Sequence, residues 1–185
     1  MPKLNIKDEV NIPEGVEVII EPPRLKVKGP KGEIERILFN PSVEIKTDKN
    51  KVTLEIKNGK KKEKMYMKTY RAHIKNMIKG VSEEYVYKLK ICSGHFPMTV
   101  KHEKNQLIVS NFLGEKIPRK AIIPEGVTLE MKKDDITLTG INIELVGQAA
   151  ANIERSTRIT NRDRRRFQDG IYITVKAGEP VWTKN

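Results

Sequence analysis

The sequence contains a single cysteine, and aromatic residues make up only 5% of it. One thiol cannot form an internal disulfide, which fits a reducing compartment. Because Cys92 lies in the apolar run 87–92, it is predicted to be a buried strand residue. No apolar run approaches the roughly 18–20 residues that a membrane-spanning helix needs, and residues 1–10 show no signal-peptide pattern. These absences argue against a disulfide scaffold and against a membrane partner.

Catalytic signatures are also missing. The three histidines, His73, His95 and His102, have no cysteine or histidine partners at metal-ligand spacing. The glycines of segment 29–32 lie in a turn between strands, not in a phosphate-binding strand-to-helix loop. The carboxylates of Asp134 and Asp135 fit a hairpin turn better than an acid–base pair. The sequence therefore predicts no enzyme activity, no metal site and no cofactor.

One motif does occur twice. The residues Ile-Pro-Glu-Gly-Val at 12–16 recur at 123–127, an offset of 111 residues. Continued without a gap, this alignment matches apolar positions at a period of two and places Gly29 on Gly140, as two copies of a strand–turn–strand unit require. A single repetition at this distance predicts two small domains of the same fold, not a solenoid.

Periodicity and turn residues predict the elements of each half. In the first half, Gly80 is expected to end the helix; in the second, Asn142 is expected to cap the helix and Asp134-Asp135 to form the hairpin turn. Trp182 leaves open whether the C-terminal tail packs. The predicted strands are 16–21, 25–28, 33–38, 43–46, 52–57, 85–92, 98–101, 107–110, 127–132, 136–139 and 171–175, the helices 65–79 and 143–157, and the main loops 58–64, 112–120 and 158–168.

The predicted fold class is α+β, as two tandem copies of a small domain with one helix packed on a short-stranded antiparallel or mixed sheet. The predicted domains are 1–81, 82–175 and a tail at 176–185. On the second helix, the predicted core face consists of Leu145, Val146, Ala149, Ala150 and Ile153.

Positive charge points to a polyanionic partner, because the formal net charge is +12. Residues 1–81 carry a net of +8 and residues 82–185 a net of +4, yet seven of the ten arginines lie in the second part. Arginine forks bind phosphate oxygens bidentately, whereas lysine is a hydrated point charge. We therefore give the arginine cluster more weight than the net charge.

Six arginines and one aspartate fall between Arg155 and Arg166, with serine, threonine and asparagine interleaved. Guanidinium and hydroxyl groups bind phosphate and ribose oxygens, and the RNA 2′-hydroxyl adds a further target. A solvated basic surface loop is the alternative, but clustered arginines without balancing acids repel one another. Phe167 is expected to anchor the loop to the core, with stacking on a base as the alternative. Loop 114–120 and the run 60–62 are further basic segments.

Six further segments carry recognisable motifs: 76–81, 94–97, 111–116, 123–127, 146–153 and 167–173. Together they resemble the large-subunit ribosomal protein six family, called protein nine in eukaryotes. The resemblance runs from about residue 10 to residue 175 and looks like the archaeal branch, with a eukaryotic member as the alternative. Where the bacterial branch has a Lys-Gly-Lys-Gly loop, this chain has 164–167.

This resemblance implies a cytoplasmic, structural protein of the large ribosomal subunit that binds large-subunit ribosomal RNA mainly through the second domain. It also implies a position near the sarcin–ricin loop and the stalk base, beside neighbouring ribosomal proteins and with an indirect influence on translational GTPases. A free nucleic-acid-binding module and a nucleic-acid enzyme remain the rival functions. The expected RNA contacts are Arg158, Arg162, Arg164, Arg165 and Arg166, a second set at Lys116, Arg119 and Lys120, and His95 at a turn on the same face.

Overall fold

The structure is a computed structural model that describes residues 4–38, 40–48 and 50–181. By its contacts the chain divides into two compact units, one ending at Glu84 and the other beginning at Tyr85. In chain order, the elements are β1 (Leu4–Asn11), β2 (Glu17–Glu21), β3 (Arg24–Gly29), β4 (Gly32–Ile37), β5 (Glu44–Asp48), β6 (Lys51–Gly59), α1 (Lys61–Ser82), β7 (Tyr85–Cys92), β8 (Thr99–Glu103), β9 (Gln106–Ser110), β10 (Arg119–Ile122), β11 (Thr128–Lys132), β12 (Asp135–Gly140), α2 (Ile143–Ser156), β13 (Gly170–Lys176) and β14 (Glu179–Pro180).

The first unit packs α1 on two antiparallel sheets, with strand orders β1-β6-β5 and β2-β3-β4. Alternate residues of its strands point inward, as a half-buried strand requires. Leu25, Leu54 and Ile56 from the strands and Met67 and Ile74 from α1 are each at most 2% exposed. This apolar cluster is the core that holds the helix on the sheets.

The second unit repeats this plan around α2. Its sheets have the orders β10-β9-β8 and β11-β12-β7-β13-β14. Leu89, Leu107, Ile136 and Ile153 are fully buried, and Phe112, at 1% exposure, packs among them. Residues after β13 turn back to the sheet, where Val181 N donates to Thr174 O at 2.9 Å. That part of the predicted tail is therefore paired, while Trp182 lies outside the described residues.

The two units match element by element in the same chain order. Hairpin β2-β3 with β4 corresponds to β8-β9 with β10, and β5-β6 with β1 corresponds to β11-β12 with β7. Each helix follows the second strand of the latter hairpin, β6 in one unit and β12 in the other. The predicted α+β fold with internal duplication is confirmed, and β13 and β14 extend the second unit.

The 111-residue alignment, however, is wrong. The motif at 12–16 precedes β2, but the motif at 123–127 precedes β11, whose counterpart in the first unit is β5. Both motifs form the same turn before a hairpin, with Gly15 at φ 83° and Gly126 at φ 84°, where glycine is the favoured residue. The same local turn thus serves two different places in the fold, and the local match suggested the wrong register.

Helix α1 begins four residues earlier than predicted and includes part of the expected lysine loop. The Glu63 carboxylate accepts a hydrogen bond from the Lys60 backbone N–H at 2.9 Å, which satisfies one orphan donor at the helix start. Gly80 does not end the helix; it is buried within the last turn, and the chain leaves the helix at Glu83. Burial of Val81 against the strands outweighs the weak helix propensity of glycine.

Two further predictions in the second unit need correction. Residues 119–122 form strand β10, paired with β9, although 112–120 was predicted to be a loop. Leu145 is 37% exposed, whereas Val146, Ala149, Ala150 and Ile153 form the buried face of α2. The Asn142 cap is confirmed, because its side chain accepts from Glu144 N at 2.9 Å.

We expect Gly140→Ala to destabilise the second unit. A Cβ at this position would lie 2.8 Å from a Val146 methyl group and 2.9 Å from the Gly126 carbonyl oxygen, which the backbone holds in place. Such overpacking costs about 1–3 kcal/mol. Gly147→Ala is the matched control, because its Cβ would meet the Tyr87 hydroxyl at an ordinary 3.5 Å. Urea unfolding followed by circular dichroism measures both; equal midpoints would contradict the proposed clash.

Candidate nucleic-acid interface

The arginine loop, defined as residues 158–168, joins α2 to β13, and both of its ends are fixed to the core. Thr157 is 3% exposed, and its hydroxyl oxygen accepts a hydrogen bond from Ile171 N at 2.9 Å. Ile159, at 8% exposure, belongs to the apolar core of the second unit. Because apolar and hydroxyl residues hold the ends, the loop begins and ends at defined positions on the unit.

The loop is folded around Asp163. The Asp163 side chain accepts from Arg165 N at 2.9 Å, and its carbonyl accepts from Phe167 N at 2.9 Å. Such aspartate-centred turns order a loop locally. Arg165 is 93% exposed, with its Nε 3.5 Å from Asp163 Oδ1, a contact of little energy at that exposure. All five predicted contact arginines of this loop are exposed: Arg158, Arg162, Arg164, Arg165 and Arg166.

Phe167 packs against the core of the second unit, as expected of an anchor. Its ring also lies 4.8 Å from the His95 ring, with the two planes tilted by 35°. The Arg162 guanidinium lies 5.0 Å from the centre of the same ring, within the range of a cation–π contact. Phe167 therefore brings His95 and Arg162 together on one side of the loop.

Asp169 is a buried residue of this site that the sequence reasoning missed. Its side chain is buried and lies at the end of the arginine loop. The carboxylate accepts from the backbone N–H groups of Gly94 and His95, the latter at 2.9 Å, and the His95 ring Nδ1 lies 2.6 Å from Oδ2. The segment 167–173 was recognised as a motif, but no feature of the sequence pairs Asp169 with a turn 74 residues away.

These contacts define the charge state of Asp169. Burial raises the pKa of a carboxyl group, but here the hydrogen bonds from His95 and Gly94 outweigh it, so the pKa lies below the ordinary 3.8. Asp169 is therefore ionised at neutral pH. An ionised carboxylate is the stronger acceptor, and it holds the His95 turn against the end of the loop.

Arg119 holds the other end of the loop. Its Nε and Nη2 donate to the two Glu115 oxygens at 2.7 and 2.6 Å, and its Nη1 donates to the carbonyls of Ser156 and Arg158, both at 3.0 Å. Its guanidinium also lies 4.4 Å from the centre of the Phe112 ring. The carbonyls at the end of α2 would otherwise lack partners, so Arg119 acts as a C-terminal cap.

Lys116 and Lys120 flank Arg119, and both are exposed. The bond with Arg119 lowers the pKa of Glu115 most, burial opposes it, and the positive charges of Arg119 and Arg162 lower it further. The bonds from Arg119 to the carbonyls of Ser156 and Arg158 place segment 115–120 beside the arginine loop. The structure thus brings the three predicted contact groups into one region, with Arg119 and Asp169 as the internal ties.

A shallow depression lies between the arginine loop and strands β7 and β13. Basic side chains line it together with Tyr172 and Gln168. Phosphate oxygens and ribose hydroxyls fit such a mixture of guanidinium, imidazole, phenol and amide groups. The basic residues that line the depression are Lys90, His95, Arg164, Arg165 and Arg166.

The fold and the site define a duplicated α+β protein whose second unit carries an ordered, exposed basic loop. The profile of ribosomal protein L6 matches residues 12–84 and again residues 96–170, the two repeats seen in the strand order. The chain therefore belongs to the ribosomal protein L6 family. The two matched ranges begin at residues 12 and 96, which are 84 residues apart and not 111.

Curated relatives agree with this assignment. The chain is 48% identical over 171 residues to the large ribosomal subunit protein uL6 of Methanobrevibacter smithii, covering 92% of this chain and 96% of that protein. It is 47% identical over 174 residues to the large ribosomal subunit protein uL6 of Methanococcus vannielii, covering 94% and 96%. The predicted archaeal-type membership is confirmed.

Membership of this family also confirms a structural ribosomal role in the cytoplasm, without enzyme activity. Among the described residues, no helix is long and apolar enough to span a membrane. Within the same residues, no cluster of three acidic, histidine or cysteine side chains could hold a metal ion.

Proposed function

We propose that the protein is a structural constituent of the large ribosomal subunit that binds large-subunit ribosomal RNA mainly through its second repeat. The observation that supports this most is that the cations of that repeat differ in whether their donors are already bonded within the protein. Arg119 has its donors engaged within the protein, whereas the arginine-loop side chains are exposed and available to a partner. Arg158, Arg162, Arg164, Arg165, Arg166, Lys116, Lys120 and His95 are the proposed RNA contacts.

Arg119 takes a different part in this proposal from the one its sequence position suggested. Its Nη1 donates hydrogen bonds to the carbonyl of Ser156 at the end of α2 and to that of Arg158, the first residue of the arginine loop. The loop is thereby ordered before RNA binds, which lowers the entropic cost of binding. Arg119 is accordingly proposed as a positioning residue for the RNA contacts.

The proposed location is near the sarcin–ricin loop and the stalk base, where translation factors dock. It rests on the resemblance to the ribosomal family, and the basic depression of the second repeat is compatible with converging RNA backbones. Neighbouring ribosomal proteins would be partners there, and any effect on translational GTPases would be indirect, through the shape of the factor site.

Removing two loop arginines should weaken RNA binding in a salt-dependent way. Arg164→Gln with Arg166→Gln should reduce the slope of log affinity against log salt by about 1.4–1.8, because each lost phosphate contact contributes about 0.7–0.9. The probe is a large-subunit ribosomal RNA fragment that contains the sarcin–ricin loop. The control is Lys26→Gln with Lys28→Gln, which removes the same charge from lysines paired with Glu35 and Glu33.

The two outcomes separate the proposal from its rival. A slope reduced only by the arginine variant supports phosphate contacts at the loop, and equal slopes for both variants overturn it. Sedimentation of native lysate then tests the ribosomal role. Co-migration with the large subunit through a high-salt wash supports a constituent, whereas a position at the top of the gradient favours a free nucleic-acid-binding module.

A further inference from the structure

We propose that the first repeat carries a second RNA-phosphate contact surface on the exposed side of α1, independent of the arginine loop. We call this surface the lysine face and define it as Lys61, Lys64, Lys68 and Lys75. The inference goes beyond the proposed function, which places RNA binding mainly in the second repeat.

Helical spacing places these four lysines on one side of α1. Residues three, four and seven apart share a face of an α-helix, and the four span about 21 Å at 1.5 Å per residue. A different side of the helix carries Met67, Ile74 and Val81, all buried in the core of the first unit. The four lysines are exposed. Because the core fixes the helix, the lysines form an ordered row.

The row is not balanced by acids. Residues 60–75 contain six lysines and one arginine but a single acidic residue, Glu63. Glu63 serves the backbone of Lys60 at the helix start, and Arg71 is paired with Asp8 at 3.3 Å. Like charges four residues apart destabilise a helix, so this arrangement carries a cost in the free chain.

Several lysines on the sheets of the same unit, in contrast, lie close to glutamates. Lys26 lies 3.8 Å from Glu35, Lys28 lies 3.9 Å from Glu33, and Lys46 lies 3.1 Å from Glu55. Those ion pairs need no external partner. The lysine face, in contrast, concentrates positive charge in a row whose self-repulsion an external polyanion would relieve.

The chemistry of the face favours a phosphate backbone over other polyanions. Protein interfaces are depleted in lysine, and their binding energy comes from buried aromatic and arginine anchors. Membrane-surface helices insert a large apolar face, but the apolar face of α1 is already buried in its own core. Beside Met65, Thr69 and Ala72 lies a shallow depression, and four of its nine lining residues are lysines: Lys61, Lys62, Lys64 and Lys68.

The experiment uses the full chain and a short RNA duplex of arbitrary sequence, because a phosphate contact is independent of sequence. The test variant is Lys64→Gln, Lys68→Gln and Lys75→Gln. The matched control is Lys26→Gln, Lys28→Gln and Lys46→Gln, which removes the same charge from ion-paired positions. The test variant should reduce the salt slope by about 2.1–2.7, from three contacts at about 0.7–0.9 each, and the control should change it much less. Urea unfolding should show the test variant to be at least as stable as the parent.

The arginine-loop variant Arg164→Gln with Arg166→Gln, measured on the same duplex, distinguishes this inference from the proposed function. If only the arginine variant lowers the slope, the lysine face does not bind RNA, while the proposed function stands. If only the lysine variant lowers it, the inference holds and the proposed role of the arginine loop fails. Equal effects of the lysine variant and its control overturn the inference. So does tighter binding of polyglutamate than of the duplex by the parent, with the preference lost in the lysine variant, which would assign the face to an acidic protein.

Discussion

Asp169→Asn is expected to lower the free energy of unfolding by about 3–5 kcal/mol, because it removes a buried ionised acceptor shared by several donors. The backbone N–H groups of Gly94 and His95 and the His95 ring all bind this carboxylate in the parent. An asparagine amide offers one neutral oxygen and places a donor where the second carboxylate oxygen was. The His95 turn should then separate from the arginine loop, and RNA affinity should fall with stability.

Asp134→Asn is the control for this change, because it alters the net charge equally at an exposed hairpin position. Urea unfolding of both variants should show a loss of stability for Asp169→Asn alone.

The pH dependence of stability gives a second readout. The pKa of Asp169 is lower in the folded state, so its contribution is present above the unfolded value and is lost as pH falls through the folded one. As pH falls below about 4, the parent should therefore lose stability more steeply than the Asp169→Asn variant. Parallel curves would contradict the role of the carboxylate.

Arg119→Lys is expected to cost about 2–3 kcal/mol although it preserves the charge, because a lysine ammonium cannot reproduce a bidentate fork. The substitution loses the paired bonds to Glu115 and the two carbonyl bonds at the end of α2. The first residue of the arginine loop is then held less firmly, so RNA affinity should also fall. Urea unfolding and RNA titration at one salt concentration measure the two effects.

Arg165→Lys is the matched control, because Arg165 is 93% exposed and a surface substitution of this kind changes stability by less than about 0.5 kcal/mol. If Arg119 instead contacted phosphate as a charge, Arg119→Lys would keep both stability and most of the affinity. A urea midpoint of Arg119→Lys equal to that of the parent would thus contradict the positioning role of Arg119.

Local patterns predicted most of the elements because each of them depends on neighbouring residues. Alternation of Val52, Leu54 and Ile56 indicated strand β6, and all three are at most 2% exposed. Asn142 before an apolar helical face indicated the start of α2. The start of α1 was misplaced because lysine occupies its cap position and Glu63, within the first turn, completes the bond. Leu145 was misplaced because a helical pattern does not define how wide the buried face is.

The duplication was recognisable in the sequence, but its register was not. Identity at five positions identified a shared turn, and only strand pairing revealed that the two turns occupy different places in the repeat. A short motif reports local backbone needs, here a glycine with positive φ, and these needs can recur anywhere in a fold.

For this protein the sequence alone determined the composition-dependent properties: a basic chain, an α+β pattern in two copies, a cluster of arginines and the resemblance to a ribosomal family. Those properties follow from residue type and spacing along the chain. Tertiary structure decided which cations are available. Arg119 and Arg165 are the same residue type in the same basic region, yet one is engaged by Glu115 and the end of α2 and the other is open to solvent. The hydrogen-bond partners of Arg119 at Ser156 and Arg158 are 37 and 39 residues away from it, and Asp169 lies 74 residues from His95. Only folding brings these groups within hydrogen-bonding distance.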